Sequence, residues 1–290
     1  MNSENNNTGT KIEVENGYAM LKQLCSFQAN RNAFKPTSNP ITNRVEFITH
    51  KLQKNGVSYH LDRFIARPLT PSINAENVNQ PQYVNIICEI EGIDKTQTSI
   101  FIAHHDVANM ASENCQDNSA SVCNLIDLAI QLTKDVSEGN LPLNNVVIVF
   151  TDAEEPCNTL FSGAARLCNN ILSGLYRGVK YVVNSELTAQ GKNVWMSYGK
   201  PNLLSNTINE RHSDKGILKV FTPFSDSVTV REFGIDTVCL GILDDENYNF
   251  VKRFNFCETW ALCHSKDDTF ENSANEGDMN EYVIFLKTLI

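Results

Sequence analysis

NVVIVFTDAEEPCNTLFSGAARLCNNILSGLYRGVKYVVN, residues 145–184, holds a short apolar run, an acidic turn, a helical stretch and a second apolar run. The first run, NVVIVF at 145–150, is too short for a helix and apolar on both faces, as a strand buried in the middle of a sheet must be. A helix is expected near 159–172 and a second strand, VKYVVN, at 179–184. Strand, helix and strand in succession make a crossover unit, which joins parallel strands. Working outward, the same alternation continues. Strands are expected at YVNIICEI (83–90), TSIFIAH (98–104) and TVCLGIL (237–243), and helices at 121–134 and at 280–290. The pattern predicts an α/β protein: a three-layer α/β/α sandwich around a mixed, largely parallel twisted sheet.

Two helices precede this region. One follows from Tyr18, Met20, Leu21, Leu24 and Phe27; the other follows Pro40 with Ile41, Val45, Phe47, Ile48 and Leu52 and is stopped by Asn55-Gly56. Residues 1–10, rich in Asn, Ser and Thr, read as a disordered tail, and the prolines and asparagines of 68–82 read as a loop. No repeat or Gly/Ser-rich linker divides the rest, so residues 11–290 are expected to form a single domain.

The formal net charge of −10 and the absence of any Lys/Arg-rich run give no field for counterion-release binding, which argues against nucleic acid as a partner. No stretch reaches the length of a membrane span, and MNSENNNTGTKIEV lacks the features of a secretory signal. A cytoplasmic location is expected. The 9 cysteines include no CxxC pair, and several lie inside apolar runs, so they read as free buried thiols in a reducing compartment. Nothing in the chain bears on oligomeric state.

The acidic turn raises the functional question, because Glu154 and Glu155 each make the other harder to ionise. A cation beside them would remove the difficulty. The ends of the other strands supply matching groups. His104 and Asp106 are two apart in an extended segment and share a face, with His105 pointing opposite. Asp117-Asn118 precedes a helix, Glu186 ends a strand and His264 lies near the C-terminus. Two imidazoles with three carboxylates, and Glu154 left over, suit a catalytic zinc site better than a structural one. Two ions could share Asp117. Each piece has a plainer reading: a strand-end His as an ordinary packed histidine, the acid pair as a solvated turn, Asp117-Asn118 as a helix N-cap. Cys115 and Cys263 are alternative ligands. The joint placement at strand ends, where α/β sheets bind ligands, favours the metal.

The series HHD (104–106), DNSAS (117–121), FTDAEE (150–155), NSE (184–186), SD (225–226) before GIDTVCL, and HSKDDT (264–269) resembles the di-zinc exopeptidases of metallopeptidase family 28 over about residues 98–290. That family includes bacterial zinc aminopeptidases, glutamate carboxypeptidase II and glutaminyl cyclases. The resemblance implies two zinc ions bridged by Asp117, one completed by His104 and Glu186 and the other by Glu155 and His264. It implies Glu154 as general base, Asp106 orienting the His104 ring and Asp268 supporting His264. The implied activity is hydrolysis of an amide bond, releasing the N-terminal residue of a small peptide or amino-acid amide. Carboxypeptidase or deacylase action, glutaminyl cyclisation and a metal-free binding module are the alternatives. Cyclases carry a Trp-bearing insertion after the acid pair, whereas Trp195 and Trp260 are distant along this chain.

The sequence departs from the pattern twice. Glu186 stands where aminopeptidases usually have Asp, which moves the carboxylate by one methylene, ~1.5 Å. Ser227 stands where many members have His. Pocket residues are expected from 66–82, 187–215 and 244–262, with Phe250, Phe254, Phe256 and Trp260 lining an apolar pocket or packing in the core.

Overall fold

A computed structural model describes residues 15–27, 43–65, 82–107, 112–155, 161–213, 216–222 and 224–290. The expected tail at 1–10 lies outside them, as does the expected loop at 68–82 save Gln82, which opens a strand. The strands are β1 (Tyr59–Ile65), β2 (Gln82–Ile90), β3 (Asp94–His104), β4 (Asn144–Thr151), β5 (Val179–Ser185), β6 (Asn193–Ser197), β7 (Leu218–Lys219) and β8 (Thr237–Leu243). The helices are α1 (Gly17–Cys25), α2 (Arg44–Lys54), α3 (Ala120–Ser137), α4 (Gly163–Leu172), α5 (Leu203–Arg211), α6 (Asp226–Glu232), α7 (Asp245–Phe254), α8 (Glu258–Leu262), α9 (Phe270–Ser273) and α10 (Glu276–Lys287).

One 8-stranded sheet runs in the order β1-β2-β4-β3-β5-β8-β6-β7. Its centre, β4-β3-β5-β8, is parallel, while β1, β2 and β6 join antiparallel. Both faces of the centre are covered. Phe101, Ala103, Val146, Ile148, Phe150 and Val183 face the layer of α1, α2, α3 and α10; Ile100, Ile102, Val147, Val149 and Val182 face α4 and α6. Each fully buried large side chain of this kind contributes roughly 1.5–3 kcal/mol through removal from water. The three-layer mixed sandwich is the expected architecture. The expected elements differ at their ends, with β3 starting at Asp94, α4 at Gly163 and the closing helix at Glu276, and β1, β6, β7 and α5 to α9 were not expected.

The register positions the chemistry. Ile102 pairs with Asn184 and His104 with Thr151 across parallel ladders. Residues two further along a strand return to the same face, so His104, Thr151 and Glu186 all emerge at the carboxyl edge on the α4/α6 side.

The end of β4 is locked to the start of α4. Gly163 donates its N–H to the Asp152 carbonyl at 2.7 Å and accepts from Asn85 Nδ2 at 2.9 Å, while Asn85 Oδ1 takes the Asp152 N–H at 3.1 Å. A Cβ at Gly163 would stand 2.2 Å from Asn85 Oδ1 and 2.6 Å from the Asp152 backbone. Gly163→Ala is therefore expected to cost about 1–3 kcal/mol through overpacking and to lower the Tm by several degrees in a thermal melt.

Candidate metal centre

The strand ends bring His104, Asp117, Glu155, Glu186 and His264 together. His104 Nε2 lies 3.1 Å from Asp117 Oδ1 and 3.5 Å from Glu186 Oε2. His264 Nε2 lies 3.1 Å from Asp117 Oδ2 and 3.2 Å from Glu155 Oε2. Asp117 thus shows one oxygen to each imidazole, and each imidazole has a further carboxylate of its own.

Asp117 lies at a kink in the segment Cys115–Ser119 that leads into α3; its own backbone is non-helical (φ −114°, ψ 88°), and its peptide bond to Asn118 is cis. It is not a helix cap. Its backbone N–H and that of Gln116 are taken by Asp268, at 3.1 and 2.7 Å, and Asn118 Nδ2 donates to the Ser185 carbonyl at 2.9 Å. These bonds give Asp268 a task that the sequence did not suggest: it ties the loop after His264 to the backbone that carries Asp117. Beneath both, Arg44 of α2 is buried and donates to the His105 carbonyl at 2.6 Å and to Ser119 Oγ at 2.9 Å.

Asp106 has two attachments. Its Oδ1 is 3.4 Å from His104 Nδ1, on the face shared with His104. Its two oxygens also accept the backbone N–H groups of Glu154 and Glu155, at 3.2 and 3.1 Å, fixing the acid pair just past the end of β4. His105 points the other way, with Nε2 2.9 Å from the Val84 carbonyl. Three residues beside or within the site, Ala153, Leu187 and His264, have left-handed backbone with φ of 64°, 56° and 63°.

The site is crowded with acid. Burial, then Asp226, Glu186 and Glu155, push Glu154 well above the usual carboxylate range. Burial likewise raises Glu155 and Glu186, and raises Asp226 to about 7, although Thr151 Oγ1 donates to it at 2.5 Å. Burial alone would lower His104, but Glu186, Asp106 and Asp117 hold it well above its ordinary value; hydrogen bonds to Asp117 and Glu155 lift His264 to about 10. Asp117 is depressed despite burial, because both imidazoles bond to it. Without a cation, protons must neutralise the cluster. A divalent ion fits in their place: ligand atoms of His104, Asp117 and Glu155 lie within 4.8 Å of one another, and Glu155 Oε1 is buried without a hydrogen-bond partner.

A cavity of about 730 Å³ opens over these groups. Leu187, Trp195, Cys239 and Trp260 line it, with the exposed Phe221, Phe224 and Phe256 also contributing. No Lys or Arg is among the described residues lining it. Of the four aromatic residues expected here, Phe256 and Trp260 line the cavity, whereas Phe250 and Phe254 meet as a tilted pair, ring centroids 4.7 Å apart, and do not. The 221–229 segment contributes although only 187–215 and 244–262 were expected to, and 66–81 lies outside the described residues. Trp195 and Trp260, distant from the acid pair in sequence, border the same cavity as Glu154. Cys115 is buried outside the cavity lining; Cys263 lines it, with burial holding its thiol well above the ordinary value. Neither joins the donor group. Ser227 is buried and hydrogen-bonded to Ser225 at 2.6 Å.

Imidazole and carboxylate donors converging beside an open cavity define the class of metal-dependent hydrolases. A family model, Peptidase family M28, matches residues 85–284. The chain belongs to that family. No curated protein matches it. Among solved structures it is similar to BSAP, a zinc aminopeptidase from Bacillus subtilis, at 12% identity and TM-score 0.69, covering 95% of this chain and 94% of that one. The LapA aminopeptidase of Legionella pneumophila gives 15% identity and TM-score 0.68, with 95% and 70% covered. The glutaminyl cyclase of Porphyromonas gingivalis gives 15% identity and TM-score 0.66, with 94% and 96% covered. These likenesses are likenesses of fold.

Proposed function

We propose that this protein is a zinc-dependent aminopeptidase that releases the N-terminal residue of small peptides or amino-acid amides. The observation that carries the reading is Asp117, whose two oxygens each sit 3.1 Å from a different imidazole. His104, Glu186 and Asp117 would hold one zinc ion, and His264, Glu155 and Asp117 a second. Bound zinc supplies Lewis acidity, which lowers the pKa of water and polarises a carbonyl. Glu154, fixed by its backbone bond to Asp106, takes the proton of the attacking water on its carboxylate and gives it to the departing amine. Asp106 keeps the His104 ring turned to the site.

The cavity wall supports a free amino end as the group recognised. Glu154 and Asp226 can face an ammonium, whereas the terminal carboxylate of a carboxypeptidase substrate would find no Lys or Arg among the described lining residues. Glutaminyl cyclisation is the second reading, favoured by the two tryptophans bordering the cavity. In that reaction the substrate's own amine attacks and ammonia leaves. The eight described cysteines are free thiols, seven of them buried, which supports a reducing, cytoplasmic setting.

The test is to incubate zinc-loaded protein with peptides bearing free, acetylated and Gln-led N-termini and to read products by mass spectrometry. Loss of one residue from free N-termini, with acetylated peptides intact, is the expected result. C-terminal trimming or deacetylation would overturn the aminopeptidase reading, and ammonia loss confined to Gln-led peptides would replace it with cyclisation.

A further inference from the structure

Glu186 is buried beside His104, and the structure shows what holds its side chain. Asn184, two residues earlier on the same face of β5, donates from Nδ2 to Glu186 Oε1 at 3.1 Å. The other oxygen, Oε2, is the one that lies 3.5 Å from His104 Nε2. We propose that Asn184 is a positioning residue for Glu186: its amide occupies one carboxylate oxygen and commits the other, alone, to the cation beside His104 and Asp117. This rests on the zinc reading given above.

The surroundings of Asn184 give it little structural reason to be there. It is fully buried, flanked in register by Ile102 on β3 and Cys239 on β8. Among the described residues its Oδ1 is buried with no hydrogen-bond partner, and besides Glu186 its Nδ2 has one long contact, 3.8 Å to Cys239 Sγ. An unsatisfied buried acceptor costs about 1–3 kcal/mol, so an apolar side chain of the same shape would suit the fold at least as well. With Glu186 ionised, as a metal ligand is, the amide must turn its NH₂ group to it, because a carboxylate only accepts. What the asparagine provides is control of Glu186. Outer-sphere partners of this kind typically change metal affinity by about 10–100-fold when removed.

Asn184→Leu keeps the branching at Cγ, adds some volume and removes the donor. In competition against a chromogenic chelator, zinc affinity is expected to fall by about 10–100-fold at one site, while the metal-free Tm stays level or rises. In a Glu186→Ala background the same change is expected to have no further effect on affinity, since there is nothing left to position. Asn184→Ala serves as the second variant should the leucine not be accommodated. Equal zinc affinity in Asn184→Leu and wild type would overturn the proposal and leave the metal reading standing, and so would an equal loss in the Glu186→Ala background. A wild-type protein that takes up no zinc would overturn both.

Discussion

Glu154→Gln is expected to lower kcat by about 10²–10⁴-fold while leaving the zinc content of the protein unchanged. The substitution keeps the shape of the side chain and the backbone bond to Asp106, and removes only the ability to carry a proton. That loss is equivalent to roughly 3–5 kcal/mol of transition-state stabilisation. Glu155, one residue on, has the opposite assignment: its Oε2 faces His264 and its place is with the cation. The two neighbours therefore separate experimentally. Steady-state kinetics together with metal analysis reads both quantities, and a Glu154→Gln protein with full zinc content and wild-type kcat would remove Glu154 from the mechanism.

Asp117→Asn is expected to be the most damaging change to the metal centre, because one carboxylate serves both imidazoles. Loss of an outer-sphere partner alone costs about 10–100-fold in metal affinity, and here a shared ligand is lost from two sites at once, so activity should fall by at least about 10³-fold. Stability should follow. An ion present at about 1,000 times its Kd stabilises the fold by ~4 kcal/mol, and the variant forfeits this. Its Tm in zinc should match that of the wild type in chelator. Glu155→Gln, by contrast, should weaken one site and spare the other. Metal analysis and paired thermal melts check the comparison, and an Asp117→Asn protein that still binds two zinc ions would exclude the shared-ligand arrangement.

The parts of the fold legible in the sequence were those whose burial leaves a local mark. β3 and β4 are covered on both faces and read as unbroken apolar runs. β1, YHLDRFI, lies at the sheet edge, half exposed and with Asp62 and Arg63 in its middle, so its composition resembles a loop. The convergence of His104, Asp117, Glu155, Glu186 and His264 was legible because each follows a strand or lies in a loop at the same edge. Contacts between distant segments left no such mark. Asp268 reaches back 151 and 152 residues to hold the backbone of Asp117 and Gln116, and Arg44 reaches 61 residues ahead to the His105 carbonyl. The hydroxyl, amide and guanidinium groups that brace the site are ordinary polar residues until the chain is folded.

The left-handed backbone at Ala153, Leu187 and His264 has a consequence for how this protein can change. For residues with a Cβ that conformation is disfavoured by roughly 1–2 kcal/mol each, against a total stability of only about 5–15 kcal/mol for a typical domain. Of the five left-handed non-glycine residues described, Asn114 and Asn255 are of the type that tolerates this conformation; of the other three, one precedes Glu154, one follows Glu186 and one is His264 itself. Selection for heat tolerance alone would find its readiest gains in glycine at the first two, where the chain must keep its catalytic shape, and only a dead end at the third. Stability gained at Ala153 or Leu187 would therefore be gained in the very backbone that sets the direction of Glu154 and Glu186.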